Sequence, residues 1–490
     1  MNGSGPTGRS LHVADSIRRP PLGLPGQTTK GTQVTDSFDL VVLGAGTGGY
    51  SAALRAASLG KTVAIVERDV VGGTCLHRGC IPTKALLHSA EVLETVRSAS
   101  SFGVTAGETT YDWSGVQEHK KKVVQKMHAG LEGLIKHRKI EVVTGEGTLT
   151  GPGTVAVGGR TITGADVVVA TGSAPKRIPG LEGDRVITSD EALTVGVPKS
   201  AVVLGAGSVG VEFASIWASF GAAVTIVEML PTLVPLEDAD LGKELARALR
   251  KRGVTCLTGS KMEDAKVTED GVTVTVSTDG SAQDLEAEVL LVAVGRGPVT
   301  RGADLDAAGI ATDERGFVTV DAELRTSAAR HYAVGDVIDT PALAHVAFAE
   351  GMFVAERTAG EDPAPINYDA IPRATYCVPE VGAVGLTEAQ ARERGHDVVT
   401  QKVNLSAIGK ATILGETSGF CKLVAEKDGP LLGAHFIGTR VTELIAEAML
   451  AVGWEAMPEE VAALIHPHPS LTEVFGEAAL ALSGRALHTA

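Results

Sequence analysis

The chain is 490 residues long, 44% of them apolar, with a formal net charge of −15. That length suits about three domains with large cores, and the acid excess speaks against a nucleic-acid surface. Five cysteines in so long a chain do not make a secreted disulfide scaffold, and no apolar run approaches the roughly 18–20 residues of a membrane span, so a soluble, cytoplasmic protein is expected.

Residues 1–36 are rich in Gly, Pro, Ser and Thr and lack sustained apolar periodicity. They read as a disordered extension, and Arg9, Arg18 and Arg19 leave a transit peptide open. Folding is expected to start at Phe38. Asp39 to Leu43 fits a buried strand, the turn Gly44-Ala-Gly46-Thr-Gly-Gly49 follows, and Tyr50 to Leu59 has helical spacing. Lys61 to Val66 is the next strand, closed by Glu67. Strand, glycine turn, helix, strand and acid together form a dinucleotide-binding unit: the glycines permit the tight turn, the helix N-terminus meets a pyrophosphate, and the acid accepts from a ribose.

Directly after it stands Gly72-Gly-Thr-Cys75-Leu-His-Arg-Gly-Cys80-Ile-Pro-Thr-Lys84. Residues five apart on a regular helix rise about 7.5 Å, whereas a disulfide holds Cα atoms within roughly 4.4–6.8 Å. A Cys75–Cys80 bridge at this helix entrance therefore needs a distorted first turn, and a helix N-terminus favours a thiolate. Two readings stand at this point, a redox-active pair and two unpaired buried cysteines that behave as small hydrophobes. A metal site is not expected, since no second cysteine or histidine pair has zinc-like spacing. Cys256, Cys377 and Cys421 are scattered and receive no role.

Residues 85–140 read mostly as helix with charged faces, and 141–168 as short strands and turns. Asp166 to Ala170 is an apolar strand entering the turn Thr171-Gly172. The first pattern then recurs: strand Ala201 to Leu204, turn Gly205-Ala-Gly207-Ser-Val-Gly210, helix Val211 to Phe220, strand Ala223 to Val227, and Glu228. The acid follows the first glycine at the same distance in both copies, so two dinucleotides are expected. Met229 to Thr232 contain no Arg or Lys, and a carboxylate without nearby positive charge suits the free 2′-hydroxyl of NAD rather than the phosphate of NADP.

Alternating strands over 261–294 end at Gly295-Arg296, and His331 to Asp336 is a further strand meeting a Gly-Asp turn. Asp336 reads either as a ribityl-hydroxyl acceptor or as a plain turn residue. A helix over 342–359 precedes the boundary Asp362-Pro-Ala-Pro365. Beyond it an α+β pattern is expected, with strands near 373–378, 397–404 and 420–437 and helices near 387–394, 441–452 and 458–464. The end reads Ile465-His466-Pro467-His468-Pro469-Ser470-Leu-Thr-Glu473, with a helix beginning near Ser470. Histidine suits proton transfer near neutral pH, and Glu473 could fix its tautomer; the alternative is a capped helix with two surface histidines.

With these motifs the chain resembles the pyridine nucleotide–disulfide oxidoreductase family over roughly residues 37–485, most specifically in Gly72 to Lys84. Within the family it looks most like the branch that oxidises dihydrolipoyl groups. Glutathione-reductase-like members usually carry a Val-Asn-Val-Gly filling between the cysteines, where this chain has Leu-His-Arg-Gly. The branch commonly ends His-Ala-His-Pro-Thr, where this chain has Pro467 and Ser470; Ser470 can still cap the helix.

The resemblance implies an α/β fold of two Rossmann-like domains and a C-terminal α+β dimerisation domain. The divisions are 37–180 (FAD, with the cysteine pair), 181–298 (NAD), 299–366 (the second part of the FAD and central region) and 367–490 (dimerisation). It implies FAD held by Gly44, Gly46, Gly49, Glu67, Thr74, Lys84, Gly147, Gly172, Asp336 and Ala344. It implies NAD held by Gly205, Gly207, Gly210, Glu212, Glu228, Gly295 and Arg296, with Lys84 pairing with Glu212. Cys75, Cys80, His468 and Glu473 would be catalytic, the last two reaching the cysteines of the other subunit of a homodimer. The implied reaction is oxidation of dihydrolipoamide by NAD+. The implied partners are lipoyl domains and the acyltransferase core of 2-oxoacid dehydrogenase complexes, or the lipoyl carrier of glycine cleavage. The alternative is a reductase of another disulfide, a quinone or a metal ion on the same fold.

Overall fold

The computed structural model describes residues 35–489; most of the expected extension over 1–36 lies outside them. Its first sheet has seven strands. At its centre Thr35–Leu43 runs parallel to Val63–Glu67 on one side and to Arg160–Val169 on the other, and Glu141–Thr144 continues it outward. The apolar runs Leu40 to Leu43 and Val63 to Val66 are buried throughout, as expected of parallel strands covered on both faces. The long strand Arg160–Val169 pairs with Thr154–Val157 at its start and with His331–Ala333 at its end. Residues from far along the chain thus complete the first sheet. Its first strand opens at Thr35, ahead of the expected start at Phe38, and Asp36 accepts from Arg160.

Four helices lead from this sheet to the cysteines and beyond: α1 (Thr47–Ser58), α2 (Gly73–Arg78), α3 (Cys80–Ser98) and α4 (Trp113–His137). The stretch expected to be mostly helical over 85–140 is therefore interrupted. Gly103 (φ +74°) ends a short turn, and α4 restarts where the Asp112 side chain accepts from the Ser114 amide, an N-cap.

The second sheet is parallel, in the order Thr255–Leu257, Ala223–Val227, Ser200–Leu204, Val289–Val292, Val186–Ile187. A three-stranded antiparallel sheet over 260–287 lies beside it in sequence. The two chain passages between the first and second sheets, Ser173–Pro175 and Arg296–Pro298, pair antiparallel as a ribbon. The third sheet is antiparallel, in the order Arg373–Thr375, Glu380–Gly385, Leu431–Gly438, Phe420–Glu426, Val398–Asn404.

Two elements escaped the sequence reading here. The strand Glu380–Gly385 has glycines at two of its six positions, which weakens a strand pattern. Gly385 (φ +77°) is needed, because a Cβ there would stand 2.2 Å from the Leu432 carbonyl oxygen, and Gly382 is tightly packed, a Cβ there standing 3.1 Å from that of Val441. The helix Gly409–Leu414 is only six residues long. The last helix, Glu473–Leu482, begins three residues later than expected, and Ser470 does not cap it. The Ser470 hydroxyl is buried without a partner, while its amide donates to Glu473.

One apolar core joins Leu86, Leu87, Ala90 and Leu93 of α3 to Phe213, Ile216 and Trp217 of the second unit and to Val381, Ala383 and Phe420 of the third. The helix that carries Cys80 is therefore fixed by all three parts of the chain. Leu86, 1% exposed, tests this: Leu86→Ala should cost about 2–5 kcal/mol, read as a lowered urea midpoint. A loss within the error of the midpoint would contradict the shared core.

Candidate active site

The two glycine turns are built alike in their close contacts. Gly44 (φ +103°) and Gly205 (φ +99°) leave their strands where a Cβ would meet the carbonyl oxygen of Ala170 at 2.4 Å or of Ala293 at 2.5 Å. A Cβ on Gly49 or Gly210 would stand 1.9 or 2.0 Å from the carbonyl oxygen of the first glycine, so only glycine lets helix and strand pack. Gly46 and Gly207 have open space where a side chain would be. The acids close both turns. Glu67 accepts from the Ala45 amide (2.7 Å) and the Asp69 amide (2.9 Å), and Glu228 from those of Ala206 (2.7 Å) and Leu230 (2.8 Å). Met229 and Leu230, which follow the second acid, are exposed.

A cavity of about 970 Å³ runs from the first turn to the cysteines. Gly44, Gly46, Glu67, Thr74, Cys75, Cys80, Lys84, Gly147, Gly172, Asp336 and Ala344 all line it. A dinucleotide fits these surroundings. The cavity is at the upper end of the usual range for ligand sites, the N-terminus of α1 favours an anion beside Gly46, and the Thr171 hydroxyl in the wall is buried without a partner. Asp336 accepts from the Ser173 hydroxyl at 2.6 Å. The glycines of the second turn, Glu228 and Gly295 are not in this wall, but Glu212 is. Arg296, grouped with the second turn on sequence, lies instead in the first cavity: it donates to the Ser173 hydroxyl (2.7 Å) and carbonyl (2.8 Å) and stands 3.9 Å from Asp336.

Cys75 sits in α2 and Cys80 opens α3, with Gly79 breaking the helix between them at φ −142°, ψ −111°. This is the distortion that a close approach of the pair requires. Both are free thiols and half-buried. Interaction with the Cys75 thiol pulls Cys80 down to about 7, with the nearby Lys84 ammonium helping and burial opposing. The same interaction, then burial, pushes Cys75 up. Cys80, beside Lys84, is thus the sulfur biased toward thiolate. Burial disfavours charge on Lys84, yet Glu212 outweighs it and raises the Lys84 pKa. Lys84 Nζ is 2.9 Å from both Glu212 oxygens.

At the far end of the chain, His468 Nδ1 meets Glu473 Oε1 at 2.8 Å. The His468 side chain is 76% exposed, and it does not line the cavity of its own chain. Burial opposes charge on Glu473, but the Ser470 amide and His468 hold its pKa low. His466 is no surface histidine: its side chain is 11% exposed and its Nε2 is 2.8 Å from Glu447 Oε1. Glu447 also accepts from Thr472, and His466 occupies the space where a Cβ on Gly476 would stand, 2.5 Å from its Nδ1. Sequence spacing gives no sign of this anchor. It gave none of Glu350 either, a fully buried acid that accepts from the Gly335 amide (2.6 Å), Thr340 (2.7 Å) and Tyr368 (3.0 Å) and so supports the Asp336 turn.

Two family profiles match the chain: pyridine nucleotide-disulphide oxidoreductase over residues 38–351, and the dimerisation domain of the same family over 371–479. A dihydrolipoyl dehydrogenase of Bacillus subtilis (strain 168) is 43% identical over 470 residues, covering 92% of this chain and 99% of its own. One from Mycobacterium tuberculosis (strain ATCC 25618 / H37Rv) is 42% identical over 461 residues, with 92% and 99% covered. Among solved structures, LpdA from Mycobacterium tuberculosis superposes with a TM-score of 0.83 at 27% identity, over 91% of this chain and 99% of that one. The HOCl-induced flavoprotein disulfide reductase RclA from Escherichia coli gives 0.80 at 28%, over 90% and 99%.

The His466–Glu447 pair carries a pH signature. Its bond to Glu447 raises the His466 pKa. For Glu447, burial raises the pKa but the bonds from His466 and Thr472 outweigh it and lower the net value. The histidine's contribution is therefore full below its unfolded pKa of about 6.5 and fades as pH rises through the raised folded value. The acid's contribution is present above about 4.5 and fades as pH falls. Glu447→Gln should lower the melting temperature most between about pH 5 and 6.5 and least in alkali. A pH-independent loss would contradict the ion pair.

Proposed function

The chain belongs to the pyridine nucleotide-disulphide oxidoreductase family, and on that premise we propose that it oxidises dihydrolipoyl groups to the cyclic disulfide and reduces NAD+ to NADH. It is a flavoprotein oxidoreductase with FAD and NAD as cofactors. The observation that carries the proposal is the paired Cys75 and Cys80 on the wall of the dinucleotide cavity, with one sulfur biased toward thiolate beside Lys84. Bound FAD supplies the two-electron chemistry between that dithiol and the nicotinamide.

The remaining roles belong to side chains. In the oxidised enzyme the partner subunit's His468 takes a proton from one substrate thiol, because the thiolate is the attacking species. Its tautomer and cation are held by Glu473. The substrate sulfur bonds to Cys75 as the Cys75–Cys80 bond breaks, and Cys80 leaves as a thiolate beside Lys84. The second substrate thiol then closes the substrate's own disulfide: the partner subunit's His468 passes its proton to the departing Cys75 sulfur and takes that of the second thiol, ending as the cation that balances the Cys80 thiolate. Two electrons have then moved from substrate to the cysteine pair. Residues 371–479 match a dimerisation domain, which supports a homodimer in which each His468 serves the other chain. In that reading its exposure in a single chain reflects an unmated surface.

The first turn, with Glu67, would hold the adenosine part of FAD, and Thr74, Gly147, Gly172, Asp336 and Ala344 would contact the rest. The second turn would hold NAD, with Glu228 on the adenine ribose. The chain divides accordingly at about 180, 298 and 366. The partners we assign are lipoyl domains on the acyltransferase core of 2-oxoacid dehydrogenase complexes, or the lipoyl carrier of glycine cleavage. Among the described residues no helix is long and apolar enough to cross a membrane. The free Cys256, Cys377 and Cys421 suit the reducing cytoplasm to which we assign the protein.

Purified enzyme should form NADH rapidly from dihydrolipoamide and NAD+, and slowly with NADP+ or with glutathione as donor. Fast NADH-dependent reduction of a different disulfide, quinone or metal ion with slow lipoamide turnover would overturn the substrate assignment. Cys75→Ser should abolish lipoamide turnover, and His468→Gln should lower it by about 10²–10⁴-fold. Glu228→Gln should raise the KM for NAD+, and an unchanged KM would sink its assignment.

A further inference from the structure

We propose that His77 and His128 form a clamp on the Val71–Gly72 peptide that holds Cys75 and Cys80 in bonding register, as positioning residues for the redox pair. The inference rests on the redox reading of that pair. His77 lies between the two cysteines in sequence, in the filling where glutathione-reductase-like relatives usually carry asparagine. His77 Nε2 donates to the Val71 carbonyl oxygen at 2.9 Å, and His128 Nδ1, from α4, donates to the same oxygen at 3.2 Å. A carbonyl oxygen has two lone pairs and can accept both. The rings meet edge to face, their centroids 5.0 Å apart, and His128 Nε2 is 3.3 Å from Glu132.

The other side of the same peptide is also held. The Gly72 amide donates to the Ala45 carbonyl at 2.9 Å, inside the first glycine turn. Gly72 (φ +109°) and Gly73 (φ +59°) then turn the chain into α2, and a Cβ on Gly73 would stand 2.6 Å from Gly46 Cα. One peptide unit thus ties the cysteines to the dinucleotide turn and to α4, whose His119 and Val123 line the cavity.

The arrangement answers a physical need. A six-residue helix without a side-chain cap has no stability of its own, so its place depends on tertiary anchors. Forming the Cys75–Cys80 bond costs less entropy when the dithiol is already held in register. Removing an anchor lowers the effective concentration of one thiol at the other. The equilibrium then moves toward the dithiol, and the couple becomes more oxidising.

The test is the thiol–disulfide equilibrium of Cys75–Cys80 in the FAD-loaded dimer, set by mixtures of reduced and oxidised dithiothreitol. Samples are quenched in acid and the thiols counted by mass after alkylation. His77→Ala and His128→Ala should each shift the equilibrium toward dithiol by about tenfold, which is about 30 mV for a two-electron couple. His77→Gln, whose amide nitrogen stands about where Nε2 does and can donate to the same oxygen, should restore most of it. His128→Gln serves where His128→Ala does not fold, and should shift it in the same direction. Variants within twofold of wild type overturn the clamp and leave the redox reading intact. A wild-type pair that never forms a disulfide in these buffers overturns both.

Discussion

The pair between Lys84 and Glu212 is the contact on which the rest of the site depends. Lys84 belongs to the helix that Cys80 opens, and Glu212 to the helix behind the second glycine turn. Glu212 also accepts from the Tyr376 amide at 2.9 Å, and the Lys84 ammonium lies 4.8 Å from the centre of the Tyr376 ring. A charge, its counter-charge and an aromatic face therefore come from the three successive parts of the chain. Glu212 is buried while the Lys84 side chain is 32% exposed, so removing Lys84 would leave an uncompensated buried carboxylate. None of the three parts can drift without exposing one member of this contact, so the distance between the cysteine pair and the second nucleotide turn is fixed by electrostatics as well as by packing.

A second buried charge does comparable service between the second and third parts. Lys422 is surrounded by Asp238 (2.9 Å), Asp240 (3.2 Å) and Glu388 (2.9 Å). Burial works against its charge, but the three carboxylates outweigh burial and raise its pKa. Nearby His435 is wholly enclosed, and burial pushes it down to about 4, so it stays neutral and adds no second cation. Paired charges of this kind add little net stability but penalise misdocking, which suits a domain that matches a dimerisation domain.

How much of this was legible in the sequence follows from how local each signal is. Each glycine turn and its acid lie within one strand-helix-strand unit, and their meaning is carried by φ angles and missing Cβ atoms that the residue types declare. The cysteine pair was legible as a pair from its spacing, but that spacing left redox and inert roles open; the family resemblance of the whole Gly72 to Lys84 stretch chose between them, and the Lys84–Glu212 contact it implied is present in the fold. His466 and Glu350 could not be read, since each draws its role from partners on other elements. The strand Glu380–Gly385 was hidden for the opposite reason: its glycines answer to backbone atoms of neighbouring elements, and locally they look like a loop.

The late return of His331–Ala333 to the first sheet has a consequence for how the protein is made. During synthesis the first sheet cannot close until that strand has emerged, well after the entire second sheet. Chains fold domain by domain as they leave the ribosome, so the inserted second unit can be finished while its host is still missing a strand. The ribbon of Ser173–Pro175 with Arg296–Pro298 pairs the outgoing and returning passages of the host, and the strand that closes the host follows it in the chain. A nascent chain halted just short of residue 331 would carry a complete nucleotide fold and an open, unsatisfied sheet edge, which is the state most in need of a chaperone.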